Sequence, residues 1–216
     1  HNFSSDLLAQ VKSVTPDVQA WFGADSGNGT YTGATLTATG RTKTGGNFEA
    51  HRLGSGGGTI TIANSNVLTG AVPLVVGAED NTGRPNIGGL VWLPNAQNYT
   101  GTVAQTVGTA LTAGNLIGSG GILVVGQNGA LNAANNNLSI RGGELRLGVN
   151  PLASHYGQTD TQYSSRNIFV KSANAVFRTL PTGGGGFGPV APKDFSMRMG
   201  DADRAFNVDR IGTTWV

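Results

Sequence analysis

Residues 98–148 read NYTGTVAQTVGTALTAGNLIGSGGILVVGQNGALNAANNNLSIRGGELRLG. Short apolar runs at Ile122–Val125, Leu138–Ile140 and Leu145–Leu147 are separated by Gly and Asn at nearly regular intervals. Charge is almost absent and no helical period runs through the stretch. Strands of about three to five residues are not stable as isolated hairpins. They become stable when each lies on the one before, as in the rungs of a parallel β-solenoid. The stretch therefore predicts an all-β chain of stacked short strands.

Composition points the same way. Gly is 35 of 216 residues and charged residues are 12%, against a usual ~25% charged. Low charge with much Gly, Asn and Thr also suits a disordered chain. Here the apolar residues are 38% and gather in β-branched runs such as Thr59–Ile62 and Leu74–Val76, which argues for strands. The length allows one domain with a substantial core, or two small ones. The net charge is +2, with Lys and Arg scattered. A nucleic-acid binder would gather them into a basic stripe. With no cysteine, a disulfide scaffold and a thiolate metal site are excluded. No apolar run approaches the ~18 residues of a transmembrane helix, so membrane insertion is not expected. No signal peptide pattern is visible. The chain opens at His1, not Met, and reads as a processed or excised piece.

Residues 4–23 differ from the rest of the chain. Leu7, Leu8, Val11 and Val14 share one face of a helix, with Ser5 or Asp6 as its cap. Thr15-Pro16-Asp17 reads as a second helix start, carried on through Val18, Trp21 and Phe22 and stopped by Gly23. The expectation is an amphipathic helix, whole or broken in two, that covers the open end of the stack. An ordinary core helix of an α+β domain is the competing reading. The predicted division is 1–23 as the helical cap and 24–216 as the solenoid, with loop insertions near 148–165 and 181–192.

Two segments look like copies. Thr30-Tyr31-Thr32-Gly33 with Gly54–Ile62 is echoed by Asn98-Tyr99-Thr100-Gly101 with Gly118–Val125. Further strand pairs flank Gly142-Gly143, Ser172–Asn174 and Gly200–Asp203. Apolar and polar residues alternate in them, which puts one face in a core. Coils of roughly 20–25 residues would number about eight to ten, a rod of roughly 40–50 Å at ~4.8 Å per strand. Trp215-Val216 carries no capping signal, which fits a further rung or subunit there.

On these residues the chain resembles the autotransporter-associated β-strand repeat of bacterial surface proteins. The features are Tyr99-Thr100-Gly101, then Ala113-Gly114-Asn115-Leu116, Gly-Ser-Gly-Gly before a β-branched strand, and the Asn-rich steps at 128–132 and 135–138. Thr30–Leu68 is similar more loosely. The resemblance implies a right-handed parallel β-solenoid (β-helix) in an exported passenger region, extracellular or on the cell surface, with structural, adhesive or scaffold roles. It supplies no catalytic residues, and the chain lacks a membrane barrel segment.

Specific chemistry is thinly represented. His1 with His51 or His155 suggests a copper-chelating brace, but no supporting motif surrounds either partner. Asp201, Asp203 and Asp209 suggest Ca²⁺, yet Ala205 and Phe206 occupy the fifth and sixth positions of that loop pattern. Paired carboxylates for glycoside chemistry would have to come from Glu49, Glu79, Asp80, Glu144, Asp160 or Asp194, and no acidic–basic cluster recurs at coil spacing. Gly54–Gly58 and Gly183–Gly186 lack the Lys-Ser/Thr of a phosphate loop. Tyr31, Tyr99, Trp92 and Trp215 would make a sugar platform if exposed, with core packing the expected role of Trp92. No catalytic, cofactor or metal residue is therefore assigned. The expectation is a self-associating structural or adhesive module, a homo-oligomer or polymer with surface glycans as further partners, and not an enzyme. The alternatives are a carbohydrate-binding or carbohydrate-degrading β-helix of tailspike-like or lyase-like type, and an antiparallel β-sandwich binding module.

Overall fold

The computed structural model describes residues 1–40, 48–78, 88–101, 103–104, 112–126, 128–131, 138–147, 168–170, 176–179, 198–199 and 207–210. Chain order is β1 (Asn2–Phe3), α1 (Leu7–Val14), β2 (Phe22–Ala24), β3 (Asn28–Tyr31), β4 (His51–Gly56), β5 (Thr59–Ile62), β6 (Thr69–Gly70), β7 (Leu74–Val76), β8 (Gly89–Leu93) and β9 (Asn98–Tyr99). Then come β10 (Val103–Ala104), β11 (Thr112–Ala113), β12 (Asn115–Gly118), β13 (Gly121–Val125), a 3₁₀ turn at Asn128–Leu131, β14 (Leu138–Arg141) and β15 (Glu144–Leu147). The last four are β16 (Ile168–Val170), β17 (Val176–Thr179), β18 (Arg198–Met199) and β19 (Asn207–Arg210).

The chain is all-β in character, with little helix. Two large sheets hold most of the strands: an eight-stranded one ordered β1-β3-β5-β8-β13-β15-β17-β19, and a seven-stranded one ordered β18-β16-β14-β12-β7-β4-β2. Every pairing inside them is parallel. The ladder order excludes the antiparallel sandwich. Successive strands change sheet. The chain runs along the seven-stranded sheet, steps to the eight-stranded one, and returns by a longer connection. Parallel neighbours cannot be joined by a tight hairpin, so each needs such a crossover.

The crossings explain the glycine pairs. Gly142-Gly143 joins β14 to β15, which lie in different sheets, and Gly142 sits at φ +94°, a conformation that favours glycine. At Gly118 a Cβ would stand 1.5 Å from the Ala78 carbonyl oxygen, so only hydrogen fits where the two chain segments meet.

One continuous core lies between the sheets. Leu53, Val76, Ile117 and Ile140 enter it from the seven-stranded sheet, and Ile60, Ile62, Val91, Leu93, Leu123, Val125 and Leu145 from the other. In register, Leu53 pairs with Val76, Val76 with Ile117 and Ile117 with Ile140, so like side chains stack along the core. Burying each such side chain stabilises by about 1.5–3 kcal/mol. A second, smaller cluster of Ala50, Val75 and Leu116 covers the far face of the seven-stranded sheet, with Phe48 against it. That is why all three residues of β7 are buried.

Spacing differs from the expected 20–25 residues. It holds from Leu53 to Val76, from Ile117 to Ile140 and from Leu123 to Leu145, while Val76 to Ile117 and the steps from β3 to β5 and from β5 to β8 are longer. The extra residues lie in the return connections, which are themselves partly stacked. Leu36 N donates to Val67 O (3.1 Å), Asn66 N to Ala96 O (2.9 Å) and Asn98 N to Leu68 O (3.2 Å).

The proposed internal copies align only in part. Gly54 and Gly118 both lie in strands of the seven-stranded sheet, β4 and β12, each followed by a step to the eight-stranded one. Tyr31 belongs to the eight-stranded sheet, whereas Tyr99 lies in the separate β6–β9 pair. The expected loop insertions at 148–165 and 181–192 lie outside the described residues.

The N-terminal region is organised differently from the expectation. The chain starts with a strand: β1 extends the eight-stranded sheet beyond β3. Helix α1 ends at Val14, and Thr15 is its C-cap, donating its N–H to Val11 O. The second helix does not form; Phe22–Ala24 becomes β2 and pairs with β4. A boundary after residue 23 would cut this strand. Burial of Phe22 against Phe3 and Tyr31, with ring centroids 5.4 Å from each, outweighs the local helix-start signal at Thr15-Pro16.

Candidate functional site

The described polar groups with most chemical potential are buried and lie on or beside β4. Alternation along this strand sends neighbouring side chains to opposite faces. His51 points between the sheets and is 2% exposed. Its Nε2 lies 2.8 Å from Thr69 O. A carbonyl only accepts, so Nε2 carries the hydrogen, and burial disfavours a second proton on the ring. Nδ1 then presents a buried lone pair without a hydrogen-bond partner. Burial lowers the pKa of His51 below its ordinary value, against the opposing pull of the Thr69 carbonyl and the Glu49 and Asp6 charges. The Tyr99 ring stands edge-on to the imidazole at 6.1 Å. Tyr99 Oη donates to Asn115 Oδ1, and Asn115 Nδ2 donates to Leu131 O (3.3 Å). A polar seam thus crosses the core from the β6–β9 pair to the 3₁₀ turn.

Arg52 leaves β4 on the other face and has no exposed surface. Its guanidinium stands 5.6 Å from the Trp21 ring centroid and 5.3 Å from that of Phe48. Nη1 donates to Thr39 O and Nη2 to Phe48 O (2.7 Å). The charge is held by two carbonyls and two ring faces, which ties the connection before β4 to β4 itself. Gln97 does similar work in the β6–β9 region. Its Oε1 accepts from Val67 N and Leu68 N, both at 2.9 Å, and its Nε2 donates to Asn64 O (3.0 Å) and Asn95 O (3.1 Å). Both side chains hold backbone in place, and the Gln97 amide has both donors and its oxygen engaged in doing so.

At the N-terminal end, Asp6 caps α1 through Ala9 N (3.0 Å). Its other oxygen accepts from Thr37 N (2.9 Å) and Thr37 Oγ1 (2.8 Å), and Lys12 pairs with Glu49. The helix is thereby tied to the segment before β4, and Leu8 enters the main core. The rest of the expected apolar face does not: Leu7, Val11 and Val14 are 48%, 41% and 84% exposed. Nearby, burial and the Asp6 charge raise the pKa of the Tyr31 phenol, which donates to Thr35 O.

The residues singled out from the sequence are dispersed. The His1 amine donates to Asn28 O (3.1 Å) at the edge of the eight-stranded sheet, while His51 is buried in the seven-stranded one. His155, Glu79, Asp80, Asp160, Asp194, Asp201, Asp203, Trp215 and Gly183–Gly186 lie outside the described residues. Glu49 is taken by Lys12, and Glu144 is bonded to Arg146 (2.5 and 3.1 Å). Among the described residues no group of three His, Asp or Glu side chains is placed to hold a metal ion. Tyr31, Tyr99 and Trp92 are buried, so they form no sugar platform. One juxtaposition escaped the sequence reading. Arg146 pairs in register with Arg178, and Arg178 with Asp209, so three charged residues share one register position of the eight-stranded sheet. Their separations in sequence are longer than a 20–25-residue coil, which hid the stacking.

No protein-family model matches the chain, and no curated protein or solved structure is detectably similar to it.

Proposed function

We propose that the chain is a right-handed parallel β-solenoid acting as an extracellular or cell-surface structural and adhesive module, self-assembling and without a catalytic step. One observation carries this reading: strands consecutive in sequence alternate between two parallel sheets, and like residues stack in register along both. Parallel crossovers within one sheet are right-handed in about 98% of cases, which supports the handedness. The Gly/Asn-rich steps between β-branched strands support kinship with autotransporter passenger repeats. A stack of this kind ends in strand edges that can pair with another chain, and a chain with 12% charged residues offers little repulsion between neighbours. The polar side chains of the core hold backbone in place, which is the work of a scaffold.

Electron microscopy of the purified chain over a range of concentrations tests assembly. Filaments or ordered sheets are expected as concentration rises. Discrete monomers or trimers at every concentration would overturn the assembly reading.

The register position shared by Arg146, Arg178 and Asp209 supports a second reading, a carbohydrate-binding β-helix. Binding to an acidic-glycan array that is lost in Arg146→Ala and Arg178→Ala would support it over assembly.

A further inference from the structure

We infer that His51 is a proton-responsive lock on the β6–β9 pair: kept neutral, it holds the return connection against the core, and protonation opens that connection. The inference stands apart from the assembly reading and from any partner.

The geometry supplies the reason. His51 is 2% exposed, and the single hydrogen bond of its ring goes to Thr69 O, the first carbonyl of β6. Thr69 pairs with Asn98 and Gly70 with Tyr99, so the bond reaches the whole two-stranded unit. Tyr99, next to Asn98, packs edge-on against the same imidazole. The second ring nitrogen has no partner. A proton arriving there creates a cation whose new N–H faces no acceptor, on a strand face shared with the core residue Leu53 and beside Leu74, its in-register partner on β7. A buried charge without a partner is strongly unfavourable, and the simplest relief is exposure to water. Leaving its site breaks the bond to Thr69 O and withdraws the ring that supports Tyr99. The polar chain from Tyr99 through Asn115 to Leu131 then loses its packed end.

The ionisable groups that act on His51 come from three elements. Glu49 lies just before β4, Asp6 and Lys12 belong to the cap and body of α1, and Tyr99 lies on β9. Glu49 is paired with Lys12, and Asp6 is bonded to Ala9 and Thr37. Their carboxylates are therefore committed elsewhere, and moving one toward Nδ1 would break the ties that hold α1. Arg52 is turned to the opposite face of β4, toward Trp21 and Phe48.

Linkage sets the direction of the effect. The packed state holds a histidine less basic than the 6.5 of an exposed one, so the opened state binds more protons. Packing is complete above pH ~6.5 and weakens as the pH falls from there toward the lower value of the packed state.

Amide hydrogen exchange of the full chain between pH 7.5 and 4.5, corrected for intrinsic exchange, tests this. The probes are Asn98 N, bonded to Leu68 O, and Thr100 N, bonded to Gly70 O, with Leu90 N as a control in the eight-stranded sheet. The expected result is protection that falls about tenfold per pH unit below ~6.5 at Asn98 and Thr100, with Leu90 more protected than either at every pH because it opens only with the whole fold. His51→Gln keeps a donor for Thr69 O and cannot titrate, so its profile should be flat. Flat protection in the wild type overturns the inference, and so does a slope that persists in His51→Gln. If that variant does not fold, ¹⁵N spectra of the wild-type histidines decide. Nδ1 of His51 should take its proton below pH ~6.5 and together with the loss of protection. Titration at or above pH 6.5 with protection retained would overturn the lock.

Discussion

His51 and Arg52 are neighbours on one strand, both buried, and the fold treats them in opposite ways. Arg52, on the outer face of the seven-stranded sheet, has two backbone carbonyls and two aromatic rings around its charge. His51, on the inner face, has one carbonyl and an unmatched nitrogen. The difference arises from what each face borders. The outer face meets Thr39 and Phe48 of the preceding connection, whose carbonyls point inward to accept. The inner face borders Leu74 and the edge of the Tyr99 ring, and Thr69 O is the acceptor that His51 meets there. A permanent cation can be buried on the first face and only a neutral ring on the second.

The comparison breaks most sharply at Arg52. Arg52→Ala removes the donors to Thr39 O and Phe48 O and empties the space between the two rings. The expected loss is about 4 kcal/mol in urea unfolding. Arg52→Met keeps a stem between Trp21 and Phe48 and should lose about 2 kcal/mol. Equal losses in the two variants would show that the carbonyl bonds, and not the packing, hold this face together.

On the inner face the expected effect depends on pH. His51 is less basic folded than unfolded, so its contribution is complete above pH ~6.5 and declines below it. Wild-type global stability should fall by up to ~1.4 kcal/mol per pH unit between about 6.5 and the folded-state value. His51→Gln should lack that segment of the curve. Arg52→Met should keep it, because that variant leaves His51 in place. Tyr99→Phe leaves Asn115 Oδ1 without the phenol and should cost about 1 kcal/mol, independent of pH from about 5 to 8. Circular-dichroism melts at the two ends of that range would check it. The smallest effect belongs to α1. Val14→Ser should change stability by less than about 0.5 kcal/mol, because Val14 is 84% exposed. A larger loss would mean that this side chain is covered in solution, and sedimentation of the two proteins would then distinguish them.

Much of the strand pattern was legible in the residues themselves. Thr59–Ile62, Leu74–Val76, Leu90–Leu93, Ile122–Val125, Leu138–Ile140 and Leu145–Leu147 all lie in strands, and Gly142-Gly143 joins two of them. β-branched residues bounded by Gly carry that information locally. Residues 15–24 misled because Thr-Pro-Asp is a sound helix start in isolation, while Phe22 is worth more against Phe3 and Tyr31. The α1 face misled for a related reason. Helical spacing shows which residues share a side, but only the neighbours decide how much of that side is covered, and here they cover Leu8 alone.

Local sequence dictates that the chain forms short strands, where they turn, and that charge is scarce, because these depend on residues close together in the chain. The parallel stacking of those strands in two sheets is a property of the folded chain as a whole. So are the meeting of Arg146 with Arg178, the place of Arg52 between two rings, and the unmatched nitrogen of His51. Each of these joins residues from different strands or connections. Their meeting is set by register and burial summed over the whole stack, and no local preference encodes it.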